Sequence, residues 1–449
     1  MKKLLLTILI TASGSFTLLS QTNPAITSWL RNTTGITGRH YVNGNYTPIT
    51  DTVLANVQTV QYSTNWVYIS TNGIPAYITG PFLDGNPSLA TSQNAIFKLS
   101  LNPIQNTGTG TATSGGNIGL FINGVALFDY RDGVSWKNST NSLAGGPLGG
   151  TGDGVWNRDA IVAEKAGFDC SKAHPAMGNY HHHQNPSAFN LDLGVISTIC
   201  NLYPSDGLYV INTAQHSPLI GFAYDGFPIY GAYGYANTNG TGGIVRMKSS
   251  FQLRNITTRN TLYTGASVTA GPNVSTTYPL GYFKEDYEFV SHPESDYLDI
   301  HNGRFCITPE YPSGTYAYFS TVDTNHNSAY PYVVGPTFYG VKNAVKVTSV
   351  TETTTQYNPI LGVTNFESDK LKAIIYPNPA NDFIAIQTQL TATDLKVELV
   401  DELGKVIQTQ TLYQGSTMCY FDVQTLYAGV YFVKISDGIN TKTSKVIVE

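Results

Sequence analysis

The stretch GNYHHHQNP, Gly178 to Pro186, sets three consecutive histidines into a chain that has nine. On an extended backbone successive side chains alternate faces, so His181 and His183 point one way while Tyr180 and His182 point the other. Two imidazoles on one face can share a metal ion if a further donor arrives from elsewhere. His174 lies seven residues upstream behind a Pro-containing loop, and His216 lies nine residues before Asp225. The expected site is therefore His181 and His183 with His174 or His216, and Asp225 either touching the ion or fixing a ligand's tautomer. Imidazole suits Zn, Cu, Ni or Fe, and the lack of paired cysteines nearby argues against a closed thiolate zinc site; zinc or copper is the expectation. Two blander readings stay open. The histidines would serve equally in a polar seam bonded to tyrosine hydroxyls and backbone carbonyls, and Asp225-Gly226-Phe227-Pro228 is also ordinary turn chemistry. Imidazole acid–base catalysis without metal is a third.

The elements that must position these groups are mostly strands. From about residue 40 to 340, Asn-Gly or Asp-Gly pairs recur, among them Asn72-Gly73, Asn123-Gly124, Asp132-Gly133, Asp225-Gly226 and Asn302-Gly303. Such pairs tolerate the positive φ of tight hairpins. Between them lie β-favouring runs such as VQTVQYSTNWVYIST, GLFINGVALFDY and GTYAYFST. One segment differs: NRDAIVAEKAGFD, Asn157 to Asp169, is rich in strong helix formers and predicts a short helix just before the histidines. Near residue 345 the composition turns Thr-rich and aperiodic, which reads as a linker over 346–371. From 372 to 449 three hairpin patterns follow, about seven short strands in all. The fold class is thus mainly β, a large Tyr/Gly-rich domain (21–345) with few short helices and a small C-terminal β-sandwich.

The bulk numbers narrow the setting. With 25 Lys+Arg against 30 Asp+Glu the net charge is −5, which excludes a basic field for nucleic acid or an anionic membrane. Charged residues are 12%, about half the roughly 25% usual in soluble domains, and 30 tyrosines supply much of the polarity. Lys2 and Lys3 precede an apolar run ending in Ser20, a signal-peptide pattern over 1–20. No other stretch is long and apolar enough to be a transmembrane segment. In an exported chain the four cysteines favour disulfides; Cys170–Cys200 would close a loop of about 30 residues around the histidines, worth roughly 3–4 kcal/mol in the chain-entropy model. Cys306 and Cys419 are expected to be unpaired.

Two resemblances follow from ordered blocks. Tyr376-Pro377-Asn378-Pro379-Ala380, Asp382, Leu403-Gly404-Lys405, Leu426, Ala428-Gly429-Val430-Tyr431 and Lys445-Val446-Ile447-Val448 resemble the type A sorting domain of the type IX secretion system. That resemblance implies a small β-sandwich read by the type IX machinery after signal-peptide export, of a kind usually removed during translocation, and hence a secreted or cell-surface protein. The blocks TNGIPAY (71–77), GLFINGVALFDYRDGVSW (119–136), HPAMGNYHHH (174–183), HSPLIGFAYDGFPIYGAYG (216–234) and LDIHNGRFCITPEYPSGTYAYF (298–319) resemble the YHYH domain family over about residues 52–340. The signature's third position is His182 here instead of Tyr, and Ala317 stands between two tyrosines where the resemblance would put His.

Two functions from different classes remain. One is a secreted metalloprotein with a mononuclear His-rich site, an enzyme if that site turns over an extracellular substrate by Lewis-acid or redox chemistry. The other is a non-catalytic cell-surface module whose tyrosines form a glycan- or protein-binding face. Motifs for a nucleophilic serine, a zinc-protease helix or a phosphate loop are absent from the sequence.

Overall fold

A computed structural model describes residues 22–449 except 43–44, 83–88, 188–206, 210, 344, 359–370, 372, 389–393, 403, 415–417 and 439. The signal-peptide stretch and Cys200 fall outside the described residues, and with Cys200 the expected bridge. Cys306 and Cys419 are free thiols. The chain divides into two compact units, 1–358 and 359–449.

The first unit is built on an eight-stranded sheet. Its order is Ala173–Ala176, Asn179–His182, Ala126–Phe128, Asn117–Phe121, Leu219–Ala223, Pro228–Tyr230, Thr315–Phe319 and Gly303–Cys306. Neighbours run antiparallel except at two joints, Asn179–His182 with Ala126–Phe128 and Pro228–Tyr230 with Thr315–Phe319, which are parallel. The middle strands bury both faces; Leu219–Ala223 is buried at every residue, as its unbroken apolar run requires. A five-stranded sheet (Val345–Val347, Ala95–Ser100, Trp66–Thr71, Val57–Tyr62, Thr355–Gln356) shares one continuous core with it. Val60, Ile69, Phe97 and Leu99 meet Leu120, Phe121 and Phe222 there, and the Trp29 and Phe222 rings lie 5.4 Å apart. Two strands of that sheet, Val345–Val347 and Thr355–Gln356, lie at or within the Thr-rich stretch read as a linker.

The second unit has three strands in one sheet (Ala373–Tyr376, Phe383–Thr388, Met418–Asp422) and four in another (Val406–Leu412, Leu395–Asp401, Gly429–Ser436, Thr441–Val448). Ile384, Ile386 and Phe421 of the first meet Val397, Leu399, Val433 and Ile435 of the second in a separate core, a β-sandwich.

Tyrosine has an unexpected place. Tyr180, Tyr230, Tyr316, Tyr318 and Tyr332 are buried, with hydroxyls donating to Asp169, Glu310, Asp299, Asp225 and Asp159 respectively. Burial would leave each carboxylate and each hydroxyl without water, and pairing them satisfies both.

Candidate metal centre

The histidine-bearing hairpin turns at Met177-Gly178, both with positive φ (48° and 82°), the backbone of a two-residue primed turn. Only Gly fits the second position, since a Cβ there would sit 2.0 Å from Thr91 Oγ1. The resulting register sets His174 directly opposite His181. On an antiparallel pair such residues share a face, which carries His174 to the His181 side. His183 follows the strand and returns to the same face, with its Nε2 3.0 Å from His181 Nε2. One ligand atom from each of His174, His181 and His183 lies within 4.8 Å of the others, and all three residues are buried.

A fourth group comes from the helix. Asp159 caps Ala160–Glu164, accepting from the Ile161 and Val162 N–H groups, and the segment continues as a 3-10 turn. Glu164, at the end of that helix, places Oε2 3.2 Å from both His174 Nε2 and His183 Nε2. These are ion-pair distances without hydrogen-bond direction: Glu164 Oε2 and both nitrogens of His174 have no hydrogen-bond partner. Glu164 Oε2 and the Nε2 atoms of His174 and His183 thus converge at close range. Sequence reasoning used Glu164 as a helix former and missed it here; its only signal was an acidic residue ending a helix ten residues before His174.

The tautomers follow from the backbone. His181 Nδ1 lies 2.8 Å from the Asn179 carbonyl and His183 Nδ1 lies 2.5 Å from the Asp129 carbonyl. A carbonyl can only accept, so Nδ1 carries the proton in each ring and the Nε2 lone pairs face inward, as ligation needs. Phe128 stacks on His181 at 3.8 Å and Phe168 meets His174 edge-on at 5.0 Å, fixing the rings. Burial, with His183 and His174 alongside, lowers His181 well below the ordinary imidazole value. Burial also acts against charge on His183, but the Glu164 carboxylate and the Asp129 carbonyl outweigh it and raise its value. Burial alone would raise Glu164; His174 and His183 instead hold it below the usual carboxylate range.

The remaining expected site residues lie elsewhere. His182 faces away, accepting from or donating to Tyr77 Oη at 2.8 Å, and burial, then Lys172, pushes it down to about 3. His216 donates from Nδ1 to its neighbour's carbonyl, Ser217 O, at 2.7 Å and packs between Tyr230 and Tyr235. Asp225 is buried and accepts from Tyr318 Oη at 2.6 Å and Gly340 N at 2.7 Å, tying three segments together. Neither joins the three histidines. A separate cleft of about 410 Å³ is lined by Arg131, Lys284, Tyr287 and Tyr330; Arg131 grips the Asp129 carboxylate at 2.7 Å.

Residues 96–331, more than half of the chain, match the YHYH protein family. The chain belongs to that family. Residues 374–449 match the secretion system C-terminal sorting domain. That tail marks the chain for export by the type IX system to the cell surface or the extracellular space, and implies contact with the type IX machinery. Among the described residues no helix is long and apolar enough to cross a membrane. No curated protein matches the chain. Among solved structures it is similar to PorZ, an essential bacterial surface component of the type-IX secretion system of Porphyromonas gingivalis, at 11% identity and a TM-score of 0.16. That alignment covers 91% of this chain and 53% of the other, a likeness too slight to bear on fold or function.

Proposed function

We propose that this YHYH protein is an exported metalloprotein in which His174, His181, His183 and Glu164 hold one transition-metal ion. The supporting observation is the convergence of three buried imidazoles, two of which hold Nδ1 on a backbone carbonyl and so turn Nε2 inward. Three nitrogens and one carboxylate oxygen suit zinc, and also copper. A bound ion supplies Lewis acidity or, for copper, redox capacity. The chain's own residues do the rest: carbonyls of Asn179 and Asp129 orient the rings, Phe128 and Phe168 exclude water, and Glu164 neutralises charge. Glu164 and His174, with side chains 20% and 10% exposed, form the open edge by which a ligand would enter.

The tyrosine content gives the binding-module reading little support, because many tyrosines lie inside with hydroxyls bonded to carboxylates. Metal analysis of untagged protein purified from its native export route tests the proposal. One equivalent of zinc or copper is expected, with loss in His181→Ala/His183→Ala while circular dichroism is kept. Metal-free native protein that also fails to take up either ion sinks it.

A further inference from the structure

The central sheet contains the same construction twice. In its first half the hairpin GLFINGVALF (119–128) pairs Gly119 with Leu127 and Leu120 with Ala126; in its second, GFAYDGFPIY (221–230) pairs Gly221 with Ile229 and Phe222 with Pro228. Both carry a register shift at the same place, before Gly119 and before Gly221. Both turns close alike: Val125 N–H donates to Asn123 Oδ1 at 3.1 Å, and Phe227 N–H to Asp225 Oδ1 at 3.3 Å.

The partner hairpins match as closely. Asp169 accepts from the Ser171 and Ala173 N–H groups and from Tyr180 Oη, and Asp299 accepts from the His301 and Gly303 N–H groups and from Tyr316 Oη. Lys172 and Asn302 both have φ 65°. His174 opposes His181 as Arg304 opposes Ala317, and His182 pairs in parallel with Leu127 as Tyr318 pairs with Ile229. The halves join by Gly119↔Ala223, Leu120↔Phe222 and Phe121↔Gly221. Equivalent residues face each other there about the Leu120–Phe222 pair, which is the pattern of a two-fold axis.

We propose that the sheet is an internal repeat with two equivalent cradles, of which the first holds the ion and the second has exchanged its ligands for a fixed cation. This rests on the metal reading above only for the content of the first cradle. Position by position, His174, His181 and His183 correspond to Arg304, Ala317 and Phe319. Glu164 and Glu294 each precede the repeat's aspartate by five residues. Arg304 directs its guanidinium to the carbonyls of Ser295 (2.5 Å), Tyr235 and Ala236, and lies 5.7 Å from the Phe319 ring. A permanent positive charge thus stands in the second half where the first gathers donors for a removable one. Asp169 then becomes a positioning residue: it sets the loop that aims His174, as Asp299 sets the loop that aims Arg304.

Arg304→His/Ala317→His/Phe319→His tests the equivalence by rebuilding the three histidines of the first cradle in the second. Folded variant is expected to hold one zinc equivalent more than wild type; an unchanged count in a variant with native circular dichroism overturns the proposal. Should that variant not fold, Asp169→Asn and Asp299→Asn decide. The two are expected to lower the urea midpoint by similar amounts, while only Asp169→Asn weakens zinc binding, about 10-fold or more. A stability loss confined to one of them, or equal zinc loss in both, overturns it. If wild type takes no metal the proposed function fails, and the paired urea midpoints still judge the repeat.

Discussion

Loading the site is expected to appear as thermal stabilisation. An ion that binds the folded chain alone adds RT ln(1 + [L]/Kd), about 2.7 kcal/mol at one hundred times Kd and about 4.1 kcal/mol at one thousand times. For a unit of this size 1 kcal/mol corresponds to about 1.5 °C, so chelator-stripped protein titrated with zinc is expected to melt about 4–6 °C higher. His181→Ala/His183→Ala removes two of the four donors and abolishes that shift. The double variant also starts lower, for reasons visible in the structure. The Asn179 and Asp129 carbonyls each lose a donor, costing about 1–3 kcal/mol apiece, and Phe128 loses the ring stacked 3.8 Å away. The quantity to compare is therefore the increment on adding metal, read by differential scanning fluorimetry. Wild-type protein that melts at one temperature with and without saturating zinc or copper refutes the reasoning, as does a double variant that shifts as far as wild type.

His182→Ala is expected to destabilise the first unit by about 2–4 kcal/mol through lost packing and the Tyr77 bond while keeping full metal content, which urea unfolding with metal analysis will read. Asp225 tests the buried carboxyls. Burial raises it from 3.8 to about 6 against the pull of Tyr318, so the folded state binds its proton more tightly and that contribution, full below about pH 4, is lost as pH rises through about 6. Asp225→Asn is expected to flatten the stability–pH curve over that window by up to ~3 kcal/mol, measured by urea titration at each pH. Ending the chain after Asn358 is expected to leave the zinc-dependent melting shift intact and to abolish export, seen by fractionation. A non-reducing digest is expected to yield Cys170 and Cys200 in one linked peptide, with Cys306 and Cys419 labelled by a thiol reagent after unfolding.

What was legible in the sequence was what depends on local period. Alternation alone places His181 and His183 together and His182 apart; His174 stood as an alternative to His216, and the tight turn at Met177-Gly178 that brings it across in register is seen only in the structure. The short helix was equally readable, from Asn157-Arg158-Asp159 onward, although its first three residues pair as a strand. Glu164 was not, because its approach depends on how a helix end packs against a sheet edge, and no spacing rule carries that. His216 and Asp225 looked like partners of the histidine run because family blocks follow one another in the chain. The sheet places Asp225 at the turn of the second central hairpin, tied to Tyr318 and Gly340. Tyrosine number suggested surface, and composition cannot reveal that so many hydroxyls would find a carboxylate inside.

The anchoring of His181 and His183 to main-chain carbonyls has a bearing on when the proposed ion would arrive. Rings held by the backbone of a finished sheet keep their aim whether or not anything sits between them, so filling the centre calls for no rearrangement of strands. On the proposed metal reading, a chain delivered to the outside can complete its folding empty and take up an ion from the surroundings in which it will work.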